Sequence, residues 1–220
     1  MRAVIIGSSG GIGAALVAAL AGRGAAVTGL SRRDHGLDLT DEDSIARVLA
    51  PLEQGVDLIF IATGGLEIDG ARPEKALRAL DPAAMAAQFA LNAIGPALVL
   101  KHALRLVPKD RPAKIAALSA RVGSIGDNRL GGWHGYRAAK AALNQIIRTA
   151  SVELARSHPQ ATLVALHPGT VATSLTAAYA GGHPTVTPAV AAENLLAVLD
   201  GLTPAETGGF YDWQGKVIPW

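Results

Sequence analysis

The stretch that decides the fold is Ala3-Val4-Ile5-Ile6-Gly7-Ser8-Ser9-Gly10-Gly11-Ile12-Gly13. Four apolar residues stop on glycine, and an Ala/Leu-rich segment of helical composition follows to about residue 23. Glycines between a strand and a helix let the backbone turn tightly and approach a pyrophosphate, which the free N–H groups and dipole of the helix N-terminus attract. Any strand-to-helix turn can need glycine for φ > 0, so the cluster by itself also admits a purely structural reading. Its place at the first such turn of the chain favours the dinucleotide reading.

Outward from this turn, strands and helices alternate. Residues 26–30 read as a second strand ending at Ser31-Arg32-Arg33. Asp38-Leu39-Thr40 reads as a brief third strand leading into a helix, with Thr40 or Asp41 near its N-cap. Residues 56–62 form a buried strand stopped by Thr63-Gly64-Gly65. Asp81 and Pro82 suit N-cap and N1 of a long helical region running to about residue 107 and bent at Gly95-Pro96. A strand at 113–118, a Gly-rich loop at 122–132 and a helix from about 135 to 156 come next. A strand at 162–166 stops at His167-Pro168-Gly169, and a helix at 188–200 precedes a short last strand near 209–211. Continuously apolar strands alternating with helices predict an α/β protein: a single doubly wound, Rossmann-type domain over 1–220, its mainly parallel sheet flanked by helices. Ligands bind such sheets beyond the carboxyl ends of the strands, and Gly7, Arg32, Gly64, Ser119 and Pro168 all follow strands there.

Bulk properties narrow the function classes. At 220 residues the chain suits one α/β domain and is short for two. Half the residues are hydrophobic and 17% charged, the composition of a globular protein. The most apolar stretches, 14–21, 56–62 and 93–100, fall short of the roughly 18 residues a spanning helix needs, so no membrane partner is expected. Residues 1–24 do not have the order of a signal peptide. The chain has no cysteine, which excludes disulfides, thiolate metal sites and thiol nucleophiles. That fits a reducing compartment, and the expected location is cytoplasmic. No metal is expected. A net charge of +2 without a basic cluster interleaved with aromatics argues against nucleic acid.

Arg32 and Arg33 stand where NAD enzymes usually offer a carboxylate to the adenosine ribose. Two guanidiniums suit a 2′-phosphate, so NADP(H) is the preferred cofactor and NAD(H) a possible one; a solvated basic turn is the alternative. Asp38 either contacts the adenine or caps the following helix. Tyr136-Arg137-Ala138-Ala139-Lys140 is the most informative string. Four-residue spacing puts Tyr136 and Lys140 on one helix face. A phenol titrates near pH 10, and a nearby ammonium favours its phenolate, bringing it towards the working range for proton transfer.

At this point the chain resembles the short-chain dehydrogenase/reductase family over essentially its whole length. The likeness rests on Gly7, Gly11 and Gly13, on Asn92 in Leu91-Asn92-Ala93, on Tyr136 with Lys140, and on His167-Pro168-Gly169-Thr170-Val171-Ala172-Thr173. Leu118-Ser119-Ala120-Arg121-Val122-Gly123-Ser124 and Gly209-Phe210-Tyr211-Asp212-Trp213 are similar to the C-factor/C-signal-like branch. The resemblance implies Tyr136 as proton donor or acceptor and Lys140 as holder of the nicotinamide ribose, lowering the tyrosine pKa. It implies Asn92 as the residue that bends its helix and supports a proton-relaying water. The cofactor would lie on Gly7, Ser9, Gly11, Ile12, Gly13, Thr63, Gly64, Pro168, Gly169 and Val171, with Thr173 at the carboxamide. His134 and His167 read as structural.

Three positions depart from the family pattern. Ile6 replaces a threonine, and Ile61-Ala62-Thr63-Gly64 replaces Asn-Asn-Ala-Gly. The substrate-binding serine falls on Ala120, with Ser119 one place earlier. A one-residue offset at a strand end turns a hydroxyl to the other face. Either Ser119 or Ser124 reaches the carbonyl after all, or Tyr136 is the main donor. The expected activity is hydride transfer between NADP(H) and a small carbonyl or alcohol substrate, entering between 123–133 and 174–187, where Gly181-Gly182 could hinge a lid. The alternative is a nucleotide-binding sensor or signalling protein with weak catalysis. The family commonly forms homodimers and homotetramers through its long helices.

Overall fold

A computed structural model describes residues 1–179 and 184–220. The strands β1 (Arg2–Ile6), β2 (Ala26–Leu30), β3 (Leu58–Ile61), β4 (Ala113–Leu118), β5 (Ala161–His167) and β6 (Phe210–Asp212) form one sheet in the order β2-β1-β3-β4-β5-β6. Every pairing is parallel. Alternate side chains leave opposite faces of a strand, and here both faces are core. Val4, Ile6, Ile59 and Ile61 point into one apolar layer with helices α3 (Glu42–Leu49), α5 (Gly95–Ala103) and α6 (His134–Ser157). Ala3, Ile5, Leu58 and Phe60 point into the other, against α1 (Gly11–Gly22) and α7 (Pro188–Gly201). Burial on both faces is why these strands are apolar without alternation. From β1 the chain goes to β2 on one side and returns to β3 on the other, which opens a crevice at their carboxyl ends.

Two local expectations change. Asp38-Leu39-Thr40 is not a strand: Asp38 Oδ1 accepts from the Thr40 N–H (2.8 Å) and hydroxyl (2.7 Å). This turn competes with extension beside β2, leaving β2 at the sheet edge, and Asp41 rather than Thr40 caps α3. A short helix, α2 (Arg32–His35), also follows β2, capped by Ser31 and ended by Gly36 at φ +64°. Asp81 caps α4 (Pro82–Phe89) as expected, accepting from Ala84 N–H at 2.7 Å.

The helical path beyond α4 does not break. A π turn, Ala90–Ile94, carries it into α5, and the irregularity precedes Gly95-Pro96, because widening the turn accommodates the proline. Gly95 is there for close approach: a Cβ on it would lie 2.7 Å from the Leu39 carbonyl oxygen. The run Pro82–Leu106 is therefore 25 residues, long and apolar enough by length and composition to cross a membrane, which corrects the shorter stretches read from sequence. Its inner side (Asn92, Ala93, Val99, Leu100, Ala103 and Leu106) is buried in the fold, and Lys101 and His102 both engage Glu42.

Candidate active site

The glycine turn is built for contact with neighbouring backbone. Gly7 adopts φ +89°, and a Cβ there would sit 2.7 Å from the Ala62 carbonyl oxygen. A Cβ on Gly13 would meet the Gly7 carbonyl oxygen at 2.1 Å, so helix and strand pack more closely than any side chain permits. Gly10, the N-cap of α1, has no side-chain acceptor for the first-turn N–H groups. With Ser9 and Gly11 exposed beside them, these donors fit the pyrophosphate of a dinucleotide. Ile12 is partly buried behind the turn.

At the end of β2 the two arginines are not equivalent. Arg33 Nε donates to Asp34 at 3.0 Å, and the same carboxylate accepts from the Ser31 hydroxyl at 2.7 Å. Those contacts, Arg33 first, hold the Asp34 carboxyl below its ordinary value. Arg32 makes no ion pair or side-chain hydrogen bond among the described residues, and it is exposed. It is thus the guanidinium open to a 2′-phosphate. Asp38 does not cap α3; its Oδ1 is held by Thr40, while Oδ2 makes no hydrogen bond among the described residues.

Behind the crevice the post-β3 loop is pinned by Asn92. Its amide oxygen accepts from Gly65 N–H (3.1 Å), and its amide nitrogen donates to the Gly65 carbonyl (2.9 Å) and to Gln88 Oε1 (2.7 Å). Asn92 itself is fully buried, in the π turn. Gly64 fits between two of the expected site residues: a Cβ on it would lie 3.0 Å from Asn92 Oδ1 and 3.2 Å from Lys140 Nζ. Thr63 Oγ1 is buried there with no partner among the described residues. Asn92, Gly64 and Lys140, from three separate segments, therefore converge on one point.

Tyr136 and Lys140 share the inner face of α6. Lys140 is 2% exposed, its Nζ lies 5.9 Å from the Tyr136 ring centroid, and it donates to the Leu118 carbonyl at 2.9 Å. Burial lowers the Lys140 ammonium to about 7 and pushes the partly exposed Tyr136 phenol up to about 12. Without a cofactor, then, desolvation outweighs the ammonium's pull, and Tyr136 is a protonated phenol at neutral pH rather than one shifted towards it.

Both candidate serines are hydrogen-bonded within the protein. Ser119 donates its hydroxyl proton to Asn144 Oδ1 at 2.6 Å, on α6 one turn beyond Lys140, and both residues are buried. Ser124 donates to the Pro219 carbonyl and accepts from Asp127 N–H. The parity argument for a strand end holds: Ser119 faces α6, and partly exposed Ala120 takes the other side.

The segment after β5 closes the site. Gly169 (φ +76°) packs against the Trp213 ring, Val171 bridges to Val186, and the Thr173 methyl lies where a Cβ on Gly11 would come within 2.8 Å. Thr173 thus borders the glycine turn, and Pro168 is partly exposed beside it. His167, desolvated first and then disfavoured by Arg121, is lowered to about 4, against a small opposing effect of Asp212. A neutral imidazole there fits a structural role. Sequence reasoning missed Asn144, which its four-residue spacing from Lys140 could have signalled, and also Glu74; Trp133 entered it only as the end of the segment bordering the expected entrance. The Gly181-Gly182 hinge lies outside the described residues.

This constellation defines a dinucleotide-binding oxidoreductase fold with a tyrosine–lysine pair at the ligand edge. The short chain dehydrogenase family profile matches residues 1–182. The 1-hydroxy-2-glutathionyl-2-methyl-3-butene dehydrogenase of Rhodococcus sp. (strain AD45) is 34% identical over 195 residues, covering 85% of this chain and 80% of that protein. C-signal of Myxococcus xanthus is 37% identical over 147 residues, 66% of this chain and 84% of that one. The NADPH-bound carbonyl reductase from chicken fatty liver superposes with a TM-score of 0.83 at 23% identity, over 100% of this chain and 94% of its own. The chain belongs to the short-chain dehydrogenase family, and it resembles C-signal within it.

Proposed function

We propose that the chain is an NADP(H)-dependent oxidoreductase that interconverts a carbonyl and an alcohol, with Tyr136 as the general acid/base. The observation that carries this reading is the convergence of Asn92, Gly64 and Lys140 beside Tyr136, at the sheet edge that also holds the glycine turn. A nicotinamide, when bound, supplies the hydride. The chain's residues do the rest. First-turn N–H groups of α1 and Arg32 hold the phosphates, Lys140 holds a ribose hydroxyl, and the phenol of Tyr136 gives its proton to the carbonyl oxygen. A phenol at about 12 is in the protonated form that reduction requires. The internal hydrogen bonds of Ser119 and Ser124 support Tyr136 as the main donor.

Tyr136→Phe keeps the ring and removes the proton. General acid–base catalysis is worth about 10²–10⁴, so NADPH oxidation with an accepted aldehyde or ketone should fall by that factor while NADPH still binds. Turnover near that of the wild type would remove the phenol from the mechanism. A second reading, a nucleotide-binding sensor with weak catalysis, is favoured by Ala120 and the two committed hydroxyls; tight NADPH binding without turnover of any carbonyl would select it. Assembly as a homodimer or homotetramer and a cytoplasmic location complete the proposal, to be checked by sedimentation and by cell fractionation.

A further inference from the structure

The chain has nine aromatic residues, three each of Trp, Tyr and Phe, and three of the nine, the proposed proton donor Tyr136 among them, form one group. The Trp133 ring lies edge-on to Tyr136, centroids 6.3 Å apart at 69°, and edge-on to Tyr179, 5.5 Å apart at 84°. All three are partly exposed, whereas Phe60 and Phe210 are sealed in the core. Trp133 belongs to the loop before α6, and Tyr179 to the segment after β5. The two stretches on either side of the substrate entrance thus meet through rings. Tyr179 is itself held by its hydroxyl, which donates to the Glu67 carboxylate in the loop after β3.

Trp133 is held under strain. It has φ +53°, and among the described residues only one other non-glycine residue, Asp69, has positive φ. A bulky residue keeps that conformation only where its surroundings impose it, and such outliers cluster at functional sites. Glu74 imposes it here. Its backbone carbonyl accepts from the Trp133 N–H at 2.5 Å, and its carboxylate accepts from the Gly135 N–H at 3.1 Å. Glu74 is 9% exposed and forms no ion pair among the described residues. Trp133 provides no side-chain cap for α6, so a carboxylate 61 residues upstream caps the helix that carries Tyr136.

We propose that Trp133, with Tyr179, is the specificity-determining wall of the substrate cleft, and that it selects carbonyl compounds bearing a flat aromatic ring next to the reacting carbon; Glu74 is the positioning residue that holds it. This rests on the carbonyl-reduction reading above. Rings gain from edge-to-face and offset contacts at centroid distances of about 4.5–7 Å, which a linear chain of equal carbon number does not reproduce.

The test is kcat/KM with NADPH for benzaldehyde and for heptanal, seven carbons each, in wild type, Trp133→Gly, Tyr179→Leu, Glu74→Ala and Glu74→Gln. Glycine accepts φ +53° without strain, and Tyr179→Leu leaves α6 untouched should Trp133→Gly fail to fold. The wild type should favour benzaldehyde by about tenfold, a preference that falls about tenfold in Trp133→Gly and about threefold in Tyr179→Leu. Glu74→Ala should follow Trp133→Gly, chiefly through KM for benzaldehyde. Glu74→Gln, which keeps an acceptor oxygen, should stay near wild type. A wild-type ratio near one, or a ratio unmoved in both ring variants, overturns the wall while leaving the reductase reading intact. No NADPH oxidation with either aldehyde by a wild type that binds NADPH counts against the reductase reading, and the wall falls with it.

Discussion

Lys140→Met is expected to make the protein more stable while removing its activity, and the gain should depend on pH. The side chains are similar in length, but only one brings a charge into a site that is 2% exposed. Burial lowers the Lys140 ammonium from 10.5 to about 7. Above 10.5 the amine is neutral in both folded and unfolded chains, so this group costs nothing. As pH falls through the window, the unfolded chain takes up the proton first. Below 7 the amine is charged in both states, and folding bears the whole penalty, about 5 kcal/mol at 1.36 kcal/mol per pH unit. The hydrogen bond to the Leu118 carbonyl is lost in the variant, which returns about 1 kcal/mol of that gain. Between pH 7 and pH 9 the wild type should gain about 2 kcal/mol on Lys140 alone, because the unfolded state binds the extra proton there. Tyr136, raised to about 12, enters only above pH 10, where stability should fall as the unfolded phenol ionises first. Urea unfolding of wild type and Lys140→Met at pH 6, 7, 8 and 9 measures the difference, and all other titrating groups cancel between the two proteins. The variant's advantage should be several kcal/mol at pH 6 and shrink steadily towards pH 9. Parallel pH profiles would refute the claim that burial of this ammonium is a cost the site bears for its chemistry.

Arg32→Ala should weaken NADPH binding by about 10- to 100-fold, since a charge-assisted hydrogen bond contributes roughly 1.5–3 kcal/mol, with little effect on NADH. Arg33→Ala should do less, because Asp34 already engages that guanidinium; equal NADPH and NADH affinities in the wild type would end the argument for a phosphate site. Ser119→Ala should act on stability rather than turnover. It leaves the buried amide of Asn144, whose nitrogen already has no partner among the described residues, without its remaining hydrogen bond there, at a cost of about 1–3 kcal/mol and a drop of roughly 2–10 °C in Tm. A fall of about 10²–10³ in turnover with Tm unmoved would instead return Ser119 to the carbonyl.

What could be read from the sequence, and what could not, divides by the range of the interaction responsible. β1, β3, β4 and β5 are visible as apolar runs because helices cover both faces, and the glycine turn and the Tyr136–Lys140 pair are visible because each lies within seven residues. Asp38-Leu39-Thr40 has a strand-like composition, yet a side chain two residues away takes the backbone N–H that an edge strand would need to keep extended. Gly95-Pro96 reads as a bend, but the reason for glycine is the Leu39 backbone lying on it, a contact spanning 56 residues that no local pattern signals. The same holds more strongly at the site. Asn92 was recognisable as a polar residue in an apolar helix, but its partner, the Gly65 backbone, is 27 residues away. Nothing around Glu74 marks it as the cap of a helix 61 residues downstream. Ser119 is the instructive case between these extremes. Strand parity alone predicts that its hydroxyl turns from the cleft, and the Asn144 amide is the reason it stays there, because a buried hydroxyl needs a partner. Local rules thus give the direction of a side chain, while the partner that holds it comes from the fold. The reverse also follows: Ala120, partly exposed on the other side of the same strand end, has no polar side-chain atom to satisfy. The site can therefore be dry on that side, as an aromatic wall at Trp133 would require.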